Sequence, residues 1–124
     1  MPGNEGAPRV LVIDDDPTVG AIYGAALELD GFSVTVATTA NEGWEAIVTT
    51  CPHLVILDIL MPVMDGWEVL ARVRALDDPP PVIVASAAAA SSRALAAGAA
   101  AWYSKATSLS RLREACRELL PGTD

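Results

Sequence analysis

Side chains able to work together as a reaction centre stand at four places in this 124-residue chain: Asp14-Asp15-Asp16, Asp58, Ser86 and Lys105. Carboxylates held close together repel one another, and a hard dication relieves that repulsion directly. Carboxylates with a backbone carbonyl and waters make up the octahedral shell that Mg2+ requires. A cation and a lysine would also neutralise a phosphoryl group while a carboxylate attacks it. Carboxylates are established nucleophiles in acyl phosphate formation. The loose transition state of phosphoryl transfer asks mainly for positioning and charge stabilisation. Taken singly these residues decide nothing, since serines and aspartates end strands everywhere. The case depends on whether the fold gathers them.

The elements can be read from residue periodicity. Arg9 to Ile13 (RVLVI) is a short β-branched run with the composition of a buried strand, and it ends in the three aspartates. Asp16 suits a helix N-cap, and Pro17 suits the first turn behind it. Val19, Ile22, Tyr23, Ala26 and Leu27 form one apolar helical face, and Gly31 stops that helix. Phe32 to Ala37 alternates as a second strand. Thr39 and Glu42 have capping-box spacing ahead of Trp44, Ala46, Ile47 and Val48, and Pro52 breaks that helix. Leu54 to Leu57 is a third strand ending at Asp58. After a loop from Met61 to Gly66, Val69, Leu70, Val73 and Leu76 mark one side of a helix. Pro79-Pro80-Pro81 forbids helix and opens a fourth strand, Val82 to Ala85, followed by Ser86. Ala101 to Ser104 is a weak fifth strand leading to Lys105, and Leu112, Ala115, Cys116 and Leu119 mark a last helix.

Five strands alternating with five helices, the strands apolar on both faces, predict a parallel sheet covered on both sides. Right-handed crossovers make it a doubly wound α/β fold. Ligands of such folds sit beyond the carboxyl ends of the strands. That is where Asp14, Asp15, Asp16, Asp58, Ser86 and Lys105 all fall.

Ile13-Asp14-Asp15, the segment Leu54 to Gly66 (LVILDILMPVMDG), Ser86-Ala87 and Lys105 resemble the response-regulator receiver domains of two-component systems. The likeness runs from Arg9 to about Leu120, and its most specific part is Leu54 to Gly66. It implies a flavodoxin-like five-stranded fold with Asp58 as the phosphoacceptor. Asp15, Asp58 and the backbone carbonyl of Leu60 would bind Mg2+ directly, and Asp14 through water. Ser86 and Lys105 would contact the phosphoryl group, and Trp102 stands where the family keeps a switch aromatic. The implied donor is a histidine kinase or a histidine phosphotransfer protein, and the implied output is a downstream protein partner.

The pattern departs from the family in three ways. The residue after Lys105 is Ala106 where receivers usually have a cis-linked proline. A cis bond to a non-proline residue costs about 3–4 kcal/mol, so the state of this bond and the seat of Lys105 stay open. The stretch from Ala87 to Gly98 is about one helical turn shorter than the usual fourth helix. It is also alanine-rich: eleven of the seventeen residues from Ala85 to Ala101 are alanine. Two other readings stand beside the main one. Asp14-Asp15-Asp16-Pro17-Thr18 fits the D-x-D-x-T opening of haloacid-dehalogenase-type phosphatases, with Asp14 as nucleophile and Asp16 as general acid. Those enzymes need a further acidic pair where Ala85-Ser86-Ala87-Ala88 stands here, and a cap domain. The other reading is a receiver-like binding module that acts without phosphorylation.

Composition narrows the function classes. Sixteen acidic against eight basic residues give a formal charge of −8, which disfavours direct nucleic-acid binding. A mean hydropathy of +0.35 excludes intrinsic disorder. No long uncharged apolar run is present to span a membrane, and Met1 to Pro8 has no apolar core for a signal peptide. Two cysteines, Cys51 and Cys116, are too few for a disulfide scaffold; on this topology they fall on helices covering opposite faces and are expected free. His53 reads as a loop residue, and Met61 and Met64 as loop packing. The expectation is a cytoplasmic signalling protein rather than an enzyme. It comprises a flexible tail over 1–8, one domain over 9–120 and a short tail over 121–124. Whether it is a stand-alone protein or a piece of a longer chain is open.

Overall fold

The computed structural model describes residues 6–59, 66–86, 91–105 and 109–120, with the backbone alone at 91 and 92. The five strands are β1 (Arg9–Ile13), β2 (Ser33–Ala37), β3 (Leu54–Asp58), β4 (Val82–Ser86) and β5 (Ala101–Ser104). They alternate with helices α1 (Pro17–Leu29), α2 (Ala40–Thr50), α3 (Gly66–Arg74), α4 (Ser91–Ala96) and α5 (Leu109–Leu119). The sheet order is β2-β1-β3-β4-β5, and every pairing is parallel. This is the doubly wound flavodoxin-like arrangement, in which chain direction across the sheet reverses between β1 and β3. Most of the expected tail over 1–8, and all of 121–124, lies outside the described residues.

The pleat divides the core into two layers. Leu11, Ile13, Val55, Leu57, Val82 and Val84 face α2, α3 and α4. Val10, Val12, Leu54, Ile56, Ile83 and Ala85 face α1 and α5. Because both faces of the central strands are covered, their sequences are continuous apolar runs rather than alternations. The edge strand β2 differs, with Thr35 and Val36 exposed.

Local chemistry sets the helix ends as the residue types predict. Asp16 caps α1, its Oδ1 accepting the Thr18 N–H at 2.9 Å. Thr39 caps α2 by accepting the Glu42 N–H at 3.0 Å, whereas Glu42 reaches back to Thr38, not to the cap residue itself. Two expectations need correction. Ser86 does not follow β4 but is its last residue, paired in register with Ser104. The inner face of α1 is Gly20, Tyr23, Gly24, Ala26 and Leu27, with Val19 packed beside it as expected, while Ile22 is 52 % exposed. The reason is close approach: a Cβ on Gly20 would lie 2.5 Å from Val36 Cγ1, so α1 packs on β2 through glycines.

Candidate functional site

The ends of four strands, β1, β3, β4 and β5, meet at the carboxyl edge of the sheet. Asp14 directly follows β1; its N–H donates to Ala37 O at 3.0 Å, extending the ladder, and its residue is 2 % exposed. Its Oδ1 accepts the Asp16 N–H at 2.9 Å, which folds the three-aspartate run back over the strand end. Asp58 ends β3 and is 4 % exposed, while Ser86 ends β4 and is fully buried. Lys105 follows β5, and its N–H donates to Ser86 O at 3.0 Å, so the lysine backbone is pinned to the end of β4.

The side chains converge. One carboxylate oxygen from each of Asp14, Asp15 and Asp58 lies within 4.8 Å of the others, with Asp15 on the solvent side. Lys105 Nζ reaches Asp14 Oδ2 at 2.8 Å and Asp58 Oδ2 at 3.3 Å. Burial works against the lysine's charge. The hydrogen bond and charge of Asp14, then those of Asp58, outweigh it and hold the ammonium above the usual lysine range. An all-oxygen set of three acids, partly open to water, fits a small hard dication. Leu60, expected to add its carbonyl, and Ala106, with the bond joining it to Lys105, lie outside the described residues.

The other predicted residues are placed as follows. Asp16 is spent as the α1 cap and is exposed. Trp102 is half-buried against the layer containing α3 and α4, and its Nε1 has no acceptor among the described residues. His53 Nδ1 accepts the Arg9 N–H at 2.9 Å at the opposite edge of the sheet, a structural bond far from the acids. Cys51 and Cys116 are both free.

Two features of the site were not expected. Gly66, the first residue of α3, donates its N–H to Ile59 O at 3.2 Å, and a Cβ there would lie 2.6 Å from the Asp58 carbonyl oxygen. The helix therefore starts directly on the phosphoacceptor candidate's backbone, which only glycine allows; the Asp65-Gly66 pair was the available signal. Beside Lys105, a cavity of about 230 Å³ is lined by Val19, Ile22, Tyr23, Tyr103 and Leu109. Tyr23 and Tyr103 meet edge to face there, with centroids 6.1 Å apart. Burial, then the charges of Tyr103, Asp14 and Asp58, hold the Tyr23 phenol above its usual range.

A five-stranded parallel α/β domain with three acids and a lysine at its switch-point edge is the architecture of a signalling receiver module. The sequence model described as "Response regulator receiver domain" matches residues 10–117. This chain belongs to that family. Among curated relatives, the transcriptional regulatory protein PrrA of Mycobacterium leprae is 43 % identical over 72 residues, covering 58 % of this chain and 31 % of that protein. The DNA-binding dual master transcriptional regulator RpaA of Synechocystis is 37 % identical over 54 % of this chain and 28 % of its own length. The matched part thus spans about a third of these relatives. Among solved structures, the Francisella response regulator 1452 receiver domain is similar with a TM-score of 0.87 and 28 % identity, covering 94 % of this chain and 99 % of that one. The response regulator TrrA of Thermotoga maritima, solved in complex with Mg2+ and BeF, has a TM-score of 0.84 at 26 % identity, over 90 % of this chain and 98 % of its own. The family assignment displaces the phosphatase reading of Asp14 and Asp16. Among the described residues, no helix is long and apolar enough to cross a membrane.

Proposed function

We propose that this chain is the phosphoacceptor of a two-component phosphorelay, taking a phosphoryl group on Asp58 in the presence of Mg2+. The observation that carries the reading is the joint placement of Asp58, Asp14 and Asp15 within 4.8 Å, with Lys105 Nζ 3.3 Å from Asp58. The donor is a phosphohistidine of a kinase or a phosphotransfer protein. An Asp58 oxygen attacks phosphorus, and the phosphorus–nitrogen bond breaks. The imidazole leaves with the electron pair and takes up a proton. Asp15, Asp58 and the Leu60 carbonyl would hold Mg2+ directly, and Asp14 through water. When bound, the ion supplies positive charge to the phosphoryl oxygens and offsets the repulsion between acids.

Lys105 is positioned to turn from its bridge between Asp14 and Asp58 toward the new phosphoryl group, exchanging one anion for another. Ser86, at the end of β4, would donate its hydroxyl to a phosphoryl oxygen. That new bond would bias the neighbouring loop and Trp102 between two states. On this reading the protein is a cytoplasmic signalling component that promotes its own modification. It acts through a protein partner, its charge of −8 disfavouring direct nucleic-acid contact. On the same reading the receiver domain runs over 9–120.

The test is intact mass after incubation with Mg2+ and a small phosphodonor, beside an Asp58→Asn control. A single phosphoryl adduct, lost with the substitution or with chelated Mg2+, is the expected result. No adduct from any donor would make the chain a phosphate-independent binding module. An adduct surviving Asp58→Asn but lost in Asp14→Asn would restore the phosphatase reading.

A further inference from the structure

The helix α4 has almost no apolar anchor. It is six residues long, and of its described side chains only Ala94 is buried, while Leu95 is 54 % exposed. Alanine favours helix formation but buries too little surface to fix a helix on a sheet. Besides its packing along β5, it is tied to α3 by arginines. The Arg93 guanidinium lies over the Trp67 ring, 4.1 Å from its centroid. At the other end, Gly98 (φ +101°) closes the turn after α4, and a Cβ there would meet Arg74 Nε at 2.7 Å and Cδ at 3.0 Å. Each helix thus lays one arginine on the other: Arg93 of α4 on the first turn of α3, and Arg74 of α3 on the turn that leaves α4.

The first of these straps starts beside the acid site. Trp67 follows Gly66, whose N–H is bonded to Ile59 O and whose Cα sits against the Asp58 and Ile59 backbone. A shift of the backbone at Asp58 is therefore passed to Gly66 without slack, then to the Trp67 ring and to Arg93. We propose that the Trp67–Arg93 stack seats α4 and couples it to Asp58, a route separate from Ser86 and Trp102. Its second half rests on the phosphoacceptor reading above. An arginine on an indole face is an orienting contact that one substitution removes without opening a core cavity. The stack therefore suits a helix that must be held and yet be able to move.

Hydrogen exchange by mass spectrometry on the full chain tests this, with intact mass recorded on the same samples. The reporters are amides bonded within and after α4: Ala97 N–H to Arg93 O, Gly98 N–H to Leu95 O and Ala99 N–H to Ala94 O. Without phosphodonor, Arg93→Gln should speed their exchange about tenfold while β4 is unchanged, and Arg93→Lys should restore part of the protection. With Mg2+ and a phosphodonor, Arg93→Gln should form the same adduct as wild type. Loading Asp58 should then alter α4 exchange at least about threefold in wild type and not in Arg93→Gln. Wild-type exchange rates in unloaded Arg93→Gln would overturn the seating role. A full loading response in Arg93→Gln would overturn the coupling. Absence of an adduct on wild type would bring down the phosphoacceptor reading and the coupling with it, while the unloaded samples still decide the seating.

Discussion

Lys105 Nζ lies 2.8 Å from Asp14 Oδ2, closer than it lies to Asp58, and so offsets the most buried carboxylate of the site. Removing it leaves Asp14 and Asp58 facing each other with no cation between them. With the lysine side chain 22 % exposed, the loss falls short of that for a fully buried pair. Lys105→Met should cost about 1–3 kcal/mol of stability in EDTA. Mg2+, which would bind the folded chain and not the unfolded one, should restore part of it. Urea unfolding in EDTA and in Mg2+ checks both, and an unchanged midpoint in EDTA would contradict the role given to the Lys105–Asp14 pair.

Two glycines make opposite predictions. A Cβ on Gly66 meets backbone, the Asp58 carbonyl at 2.6 Å and the Ile59 Cα at 2.6 Å, neither of which can turn aside. Gly66→Ala should therefore destabilise by about 1–3 kcal/mol, as overpacked sites do, and slow adduct formation on Asp58. A Cβ on Gly24 meets Val34 Cγ1 at 3.5 Å, an ordinary contact. Gly24→Ala should stabilise by about 0.5–1 kcal/mol through helix propensity, with adduct formation unchanged. Thermal or urea unfolding of the pair, with intact mass alongside, separates a glycine required by geometry from one that only loosens a helix.

The legible part of this protein was whatever a local run of residues encodes. The β-branched runs ending in Asp14 and Asp58, the Asp16 and Thr39 caps, and the proline run before β4 each carry their structure within a few residues. The parallel sheet then brings the strand ends together, and the acid site with it. Contacts between distant segments were not legible. Gly20 looks like a helix weakener in sequence and proves to be the close-approach point of α1 on β2, where Ile22 is turned outward. The alanine-rich stretch has no periodic face, so nothing local says that Arg93 would find Trp67. Trp102 was placed by likeness alone, and the lack of an acceptor for its buried Nε1 among the described residues could not be foreseen from its neighbours in the chain.

A second charged network joins α1 to α5 and makes a pH prediction. Asp30 accepts Arg113 Nε at 2.8 Å and Nη2 at 2.7 Å, and Arg117 Nη1 at 3.2 Å. The hydrogen bond from Arg113 leads in holding the Asp30 carboxyl below its ordinary value, against a smaller effect of burial. A carboxyl lowered in the folded state adds stability above its unfolded pKa and loses it as pH falls through the folded one. The urea midpoint of wild type should therefore exceed that of Asp30→Asn at neutral pH, and the gap should close below about pH 4. A gap independent of pH would assign Asp30 a packing role instead.

The two thiols should differ sharply in reactivity, and the same α1–α5 contact should control the slower one. Cys51 is exposed at the left-handed cap of α2, with φ 49°. Cys116 is fully buried on α5, and burial, then the charge of Asp30, pushes its thiol up to about 12. The thiolate is the reactive form, so at about pH 8 a thiol reagent should modify Cys51 at once and Cys116 only when α5 opens. Native protein should take up one label rapidly, and unfolded protein two. Because Asp30 ties α5 to α1, Asp30→Asn should hasten labelling of Cys116 by loosening the helix, although it also removes a charge that disfavours the thiolate. Following Cys116 labelling across reagent concentrations separates these effects: once the rate no longer rises with reagent, it reports opening alone. A plateau rate unchanged by Asp30→Asn would show that the arginine–aspartate network does not hold α5 in place.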